Sequence, residues 1–215
     1  MQKWMTKEDT SYEIPIEALA GKVGNLNLPD PALLNQYRLL DERKISLDEA
    51  VDWEVLDVQR QILLWNIQDK DLPVDQRIPI WIYIFNYGGF SDLSQGLIDV
   101  MEASTTPIYT VNMGMAASAA ADIFIAGKKR FMLRNARTMF HQGAGAIAGD
   151  AQKMRDNIED YNRKLERFKV FLLSRTCITE EEYEQYKYND WWLTAQECMD
   201  RGVCDVIVNS LDEVI

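Results

Sequence analysis

The stretch Gly114-Met115-Ala116-Ala117-Ser118-Ala119-Ala120-Ala121 decides how this chain is read. It follows the apolar run Ile108-Tyr109-Thr110-Val111-Asn112-Met113, which predicts a buried strand. Ile123, Phe124 and Ile125 come after it, so the alanine-rich segment is expected to be a buried helix entered by a glycine turn. A serine in the first turn of such a helix is where an α/β enzyme can hold a nucleophile. Alanine neighbours let the backbone come close, and the helix start offers amide N–H groups and a positive partial charge to a developing oxyanion. The same pattern fits a serine that only packs, so the rest of the chain must decide.

Upstream, residues 78–85 are nearly all apolar and β-prone, without alternation, which predicts a strand covered on both faces. It ends in Asn86-Tyr87-Gly88-Gly89-Phe90-Ser91-Asp92, and a helix follows with Leu93, Leu97, Val100 and Met101 on one face. Strand, glycine turn and helix thus occur twice in succession. This is the signature of an α/β fold with parallel strands, in which the working site lies at the carboxyl ends of the strands. Before this unit, residues 48–68 carry Val51, Val55, Val58, Ile62 and Trp65 at helical spacing and are expected to form an amphipathic helix. After it, residues 128–133 and 137–140 predict two short strands, the second running into His141-Gln142-Gly143-Ala144-Gly145.

Asp150 is expected to cap a long helix reaching about residue 174, with Met154, Ile158, Tyr161, Leu165, Phe168 and Leu172 in a narrow stripe. The spacing fits contact with another helix as well as one face on the domain core. Thr179-Glu180-Glu181-Glu182 and Thr194-Ala195-Gln196-Glu197 have the form of capping boxes, Gly202 closes the second helix, and residues 203–208 predict a last strand. Residues 1–37, punctuated by Pro15, Gly21, Gly24, Pro29 and Pro31, form an arm or extension ahead of a body over 38–215.

Composition excludes several classes. The 215 residues suffice for one full core. With 34 acidic against 23 basic residues the formal charge is −11, which argues against nucleic acid or an anionic membrane as partner. The three cysteines, Cys177, Cys198 and Cys204, have no metal-ligand spacing and read as reduced thiols of a cytoplasmic protein. No metal and no cofactor are expected. The first nine residues lack the apolar core of a secretory leader, and no apolar run approaches the roughly 20 residues of a membrane span.

His141 is the single histidine. An imidazole is the readiest general base near neutral pH, so a hydrolase built on Ser118 with a histidine base must use this one. A carboxylate would orient the ring. Asp190, beside Trp191 and Trp192 and just before a capped helix, would be shielded from water, but periodicity alone does not select it among the many carboxylates.

Gly88-Gly89, Gly114-Met115-Ala116-Ala117-Ser118, Met139-Phe140-His141-Gln142 and Asp190-Trp191-Trp192-Leu193-Thr194-Ala195 occur in that order, and together they resemble the proteolytic subunit of Clp proteases, the ClpP-type serine peptidases. The likeness runs from about Arg38 to Val208. It implies an α/β fold of the ClpP/crotonase type: a spiral of ββα units from which a long handle helix, here about residues 150–174, protrudes. It also implies a serine endopeptidase, ATP-independent in itself, that cleaves small or unfolded polypeptides inside an oligomeric chamber. Carried over by motif, Ser118 is the nucleophile, His141 the base and then acid, and Asp190 the orienting carboxylate. Gly89 and Ala119 supply the oxyanion-hole N–H groups. Gly88, Gly89, Phe90 and Ser91 on one side, with Gln142, Gly143 and Ala144 on the other, pair with an extended peptide. The family's handles join heptameric rings into a double ring, and Trp81 and Tyr83 fall where aromatics dock a Clp-type ATPase. The sequence departs from the family at Asn86-Tyr87 (Ser-Pro in the family), Gly143 (Pro) and Asn189 (often Arg). These departures leave a catalytically weak ring subunit with an assembly or regulatory role as the alternative, ahead of a crotonase-like acyl-CoA enzyme.

Overall fold

The computed structural model describes residues 31–143 and 148–215. Most of the arm expected over 1–37, and Ala144, lie outside the described residues. Residues 36–215 form one compact unit.

The elements in chain order are α1 (Pro31–Asp41), β1 (Lys44–Leu47), α2 (Val55–Asp69), β2 (Ile80–Asn86), α3 (Ser91–Ala103), β3 (Ile108–Ala117), α4 (Ala119–Ala126), β4 (Lys129–Leu133), β5 (Arg137–Phe140), α5 (Ala151–Arg175), α6 (Glu180–Tyr186), β6 (Trp191–Thr194), α7 (Ala195–Asp200) and β7 (Val206–Val208). Strands run in the order β1-β2-β3-β4-β7, all parallel. The α/β class and parallel sheet expected from the repeated βα unit are observed.

β3 serves two neighbours in succession. Residues 109–112 pair with β4, and Met115, Ala116 and Ala117 pair in parallel with β5. The switch occurs at a bulge: Ile84 of β2 faces Asn112, but Asn86 faces Ala116. Gly114 lies in that bulge because the Phe85 ring occupies the place of a side chain; a Cβ there would sit 2.7 Å from the ring. Asn112 ties the bend on both sides, accepting from the Gly114 N–H at 3.0 Å and donating to the Arg137 carbonyl at 3.0 Å. β6 then adds to β5 in antiparallel register. Ile80, Ile82 and Ile84 on one face of β2 pack with Ala120, Ala121, Ile123, Phe124 and Ile125 of α4 in the main core.

Several expectations are corrected. Residues 114–117, expected as a glycine turn leading into a helix, are strand: Met115, Ala116 and Ala117 are laddered to β5, Ala116 also to β2, and all three are buried; the helix starts at Ala119. The amphipathic helix expected over 48–68 begins at Val55. Val51 is buried by a bridge to Gly89 instead. The last strand is confined to β7, since the amides of Val203 and Cys204 turn back to the Cys198 carbonyl. Thr179 caps α6 through the Glu182 N–H, but Glu182 gives its carboxylate to Arg201 at 2.8 Å, so the box is half made. The box at Thr194 is complete. In α5 the apolar stripe divides. Phe168 and Leu172 pack into the core, while every residue from 151 to 160, Met154 and Ile158 included, is exposed.

Candidate active site

The ends of β3, β5 and β6 build the site, and β5 lies between the other two. On one side Ala117 pairs with Met139, so the Ser118 N–H reaches the Met139 carbonyl at 2.9 Å. On the other side Phe140 pairs with Trp191, which brings the next residues outward, His141 and Asp190, opposite each other. The result is a continuous polar chain: Ser118 Oγ lies 2.7 Å from His141 Nε2, and His141 Nδ1 lies 3.3 Å from Asp190 Oδ1. The shielding expected for Asp190 is absent. Its side chain is 67% exposed, against 26% for His141, because Trp191 turns inward to stack on Tyr186 at 4.8 Å and Trp192 packs under Arg137.

Ser118 occupies a sharp strand-to-helix corner with φ +55° and ψ −130°, a conformation that strains any residue with a Cβ. The corner projects its side chain toward His141 while the backbone enters α4. As the first residue of that helix, Ala119 has an N–H without an intrahelical acceptor.

The other wall is the Gly88-Gly89 turn. Gly88 has φ +102°, and a Cβ on it would lie 2.7 Å from both Ser118 Cβ and the Ala117 carbonyl. A Cβ on Gly89 would lie 2.2 Å from the Val51 carbonyl. Only glycine permits either approach. The bridge to Val51 uses the Gly88 carbonyl and the Phe90 N–H, at 2.9 and 2.8 Å, and so passes over the Gly89 N–H. Sequence reasoning missed what holds this turn. Buried Asn86 accepts from the Gly88 N–H at 2.7 Å and donates to the Glu49 carbonyl, forming an Asx turn. An Asn two residues ahead of a Gly-Gly pair was the available signal.

Phe90 and Tyr87 are exposed beside the turn, and Ser91 opens α3. Gln142 is tied down behind His141: its carbonyl accepts from the Tyr161 hydroxyl at 2.8 Å, and its amide donates to the Tyr183 hydroxyl at 3.4 Å. Gly143 has φ +81°, with open space where a Cβ would point. Trp81 and Tyr83 are away from this site. They are partly buried in a second cluster with Tyr109, Phe131 and Val208, and the Tyr83 hydroxyl donates to the Val214 carbonyl.

The arrangement suits acyl transfer by an oxygen nucleophile. Burial pushes the thiols of Cys198 and Cys204 up to about 12 and about 11, which leaves them unreactive. Among the described residues no group of histidine, cysteine and carboxylate side chains could hold a metal ion, and no helix is long and apolar enough to cross a membrane.

The family profile described as Clp protease matches residues 32–210. The ATP-dependent Clp protease proteolytic subunit 2 of Tropheryma whipplei is 33% identical over 176 residues, 79% of this chain and 93% of that one. Its namesake from Corynebacterium glutamicum is 31% identical over 174 residues, 80% of this chain and 84% of that one. Among solved structures, a point mutant of ClpP1 from Listeria monocytogenes superposes with a TM-score of 0.71 at 26% identity, covering 83% of this chain and 98% of that one.

Proposed function

Because this chain belongs to the Clp protease family, we propose that it is a serine endopeptidase acting on small or unfolded polypeptides through Ser118, His141 and Asp190. The observation that carries the reading is the polar chain from Ser118 Oγ through His141 to Asp190, at 2.7 and 3.3 Å. His141 Nε2 takes the Ser118 proton as Oγ attacks the peptide carbonyl. Asp190 stabilises the imidazolium that forms, and the Gly89 and Ala119 N–H groups receive the oxyanion. His141 then protonates the leaving amine, and water releases the acyl group from Ser118 by the same steps in reverse order. The peptide lies as an added strand between residues 89–91 and the segment that begins at Gln142 and Gly143.

The exposed first half of α5, with Met154 and Ile158, is suited to meet a second copy of the chain, and a closed ring or double ring (heptameric in the family pattern) confines the site. Entry then limits the substrate more than any side-chain pocket does. The relatives named as ATP-dependent support a Clp-type ATPase partner, with Trp81 and Tyr83 near its docking surface. The free thiols suit the reducing cytoplasm. A catalytically weak ring subunit is the second reading, favoured by the exposure of Asp190.

The test is labelling of the assembled protein with a fluorophosphonate. The wild type is expected to label at Ser118. Ser118→Ala is expected not to label and to lose at least ~10⁴-fold in kcat/KM on peptides. Assembled wild type that does not label favours the second reading, and a monomer by light scattering refutes the chamber.

A further inference from the structure

Tyr161 is the first residue of α5 that is partly buried; all those from 151 to 160 are exposed. Its hydroxyl donates to the Gln142 carbonyl at 2.8 Å and lies 3.5 Å from the Gly143 carbonyl. Further along the same helix Lys164 pairs with Asp92 at 2.8 Å. One turn of α5 therefore braces both walls of the space between residues 89–92 and 141–143. The peptide group that joins Gln142 to Gly143 is trans, so its C=O and its N–H point in opposite directions. With the C=O turned to Tyr161, the Gly143 N–H is turned away from α5. Among the described residues no acceptor takes this N–H, and no atom lies within 4 Å of the place of a Gly143 Cβ, so the segment borders open space. Gly143 is also a position at which this chain departs from the family pattern, where proline has no N–H to give. Catalysis as derived above makes no use of Tyr161.

We infer that the Gly143 N–H donates a hydrogen bond to a backbone carbonyl of the bound peptide, other than the scissile one, and that Tyr161 is the positioning residue that holds it in that direction. The inference rests on the peptidase reading. An added strand is held by main-chain hydrogen bonds to the edge it joins, and with the Gln142 carbonyl turned to α5 the group this peptide unit offers is its N–H. Without the Tyr161 hydroxyl the unit can rotate about the bonds that flank it, and glycine at φ +81° offers little steric resistance to that rotation. Rotation exchanges the two groups. The Gln142 carbonyl then faces the substrate carbonyl, and two acceptors meet where a donor and an acceptor met before. A contact made to backbone serves any side chain, as suits an enzyme that cleaves chains of varied sequence.

The experiment compares full-length wild type and Tyr161→Phe, both shown by light scattering to assemble to the same mass. It takes the ratio of kcat/KM on a fluorogenic peptide to the rate constant for Ser118 labelling by diisopropyl fluorophosphate, which carries no peptide group. Tyr161→Phe is expected to lower this ratio ~5–10-fold, chiefly through KM. A peptide series with one backbone carbonyl at a time replaced by a thiocarbonyl, a weaker acceptor, is expected to show one position away from the scissile bond at which the wild type loses ~5-fold and Tyr161→Phe less than ~2-fold. A ratio that Tyr161→Phe leaves within twofold of a labelled, active wild type overturns the assignment and spares the peptidase reading; hydrolysis and labelling that fall by the same factor give this result. So does a thiocarbonyl series in which no position separates the two proteins. A wild type to which no such replacement costs more than twofold overturns the assignment whatever the state of the variant. Absence of both labelling and hydrolysis overturns the peptidase reading, and the assignment with it.

Discussion

At the end of β2 the chain turns into α3 through Asn86, Gly88 and Gly89; at the end of β3 it turns into α4 through Ser118 alone, between two alanines. The first corner avoids strain. Glycines take up the unusual backbone angles and the close approaches, the Asn86 side chain satisfies the Gly88 N–H, and the corner presents backbone rather than a side chain. The second corner keeps strain. Ser118 holds φ +55° at a cost on the order of 1–3 kcal/mol, and it is anchored by its N–H to Met139 and by the start of α4. On the proposed mechanism, glycine serves where the site uses only an amide, and an L-residue is forced into the corner where it uses a hydroxyl. The helices differ in the same sense. Asp92 in the first turn of α3 is 75% exposed and paired with Lys164 at 2.8 Å, whereas Asp122 in α4 is half-buried and has no side-chain partner among the described residues.

The comparison can be broken most forcefully at Gly89. A Cβ there would overlap the Val51 carbonyl at 2.2 Å, so Gly89→Ala is expected to cost about 3 kcal/mol, lower Tm by about 6–12 °C and slow Ser118 labelling at least ~10²-fold. A Gly89→Ala protein with wild-type Tm would show that the first corner has room to spare. Asn86→Ala leaves the Gly88 N–H unpaired and should cost about 2 kcal/mol, read as a Tm lowered by about 4–8 °C. An unchanged Tm would mean that the glycines hold the turn unaided.

The charge contrast predicts a pH effect. Asp122 titrates near 3.8 when unfolded and near 8 when folded, so between these values the native state holds the extra proton. Wild-type stability from this group is therefore full below pH ~4 and is lost as pH rises toward 8. Asp122→Asn lacks this loss. Its stability gain over wild type should grow across that window and level off at about 1–2 kcal/mol, held to this range by the partial exposure of the carboxyl. Asp92→Asn should shift stability by less than about 0.5 kcal/mol. Thermal unfolding at matched protein concentration from pH 4 to 9 measures both, and a gain for Asp122→Asn that is constant with pH refutes the assignment of the shift. A substitution at the second corner itself sharpens the contrast. Ser118→Gly should be more stable than Ser118→Ala by about 1 kcal/mol, since glycine relaxes the corner. Equal Tm values would show that the corner is not strained.

β2, β4, β5 and α5 were legible in the sequence because their patterns are local: an apolar, isoleucine-rich run for β2, short segments ending in apolar residues for β4 and β5, and a 25-residue amphipathic helix with Asp150 at its cap. Residues 114–117 were misread because β3 is buried on both faces there, so alternation is lost, and alanine's own preference is helical. Val51 fits the apolar spacing of α2, and only the distant Gly89 bridge removes it from the helix. Ser118, His141 and Asp190 were picked out by motif, but why they meet was not legible. β6 pairs with β5 across some fifty residues of chain, and no local pattern states that register. The exposure of Asp190 follows from the same non-local fact: its tryptophan neighbours were spoken for by Tyr186 and Arg137.

β5 is four residues long, yet one edge carries the Ala117–Met139 pair and the other the Phe140–Trp191 pair. A slip of one residue on either edge would turn His141 away from Ser118 or from Asp190, while most of the helix content and the β1-β2-β3-β4 ladder would survive. During refolding, recovery of the far-ultraviolet dichroism would therefore count helices, and recovery of Ser118 labelling would count only those chains in which both edges of this short strand have closed in register. The lag between the two signals would time the last sheet contacts to form.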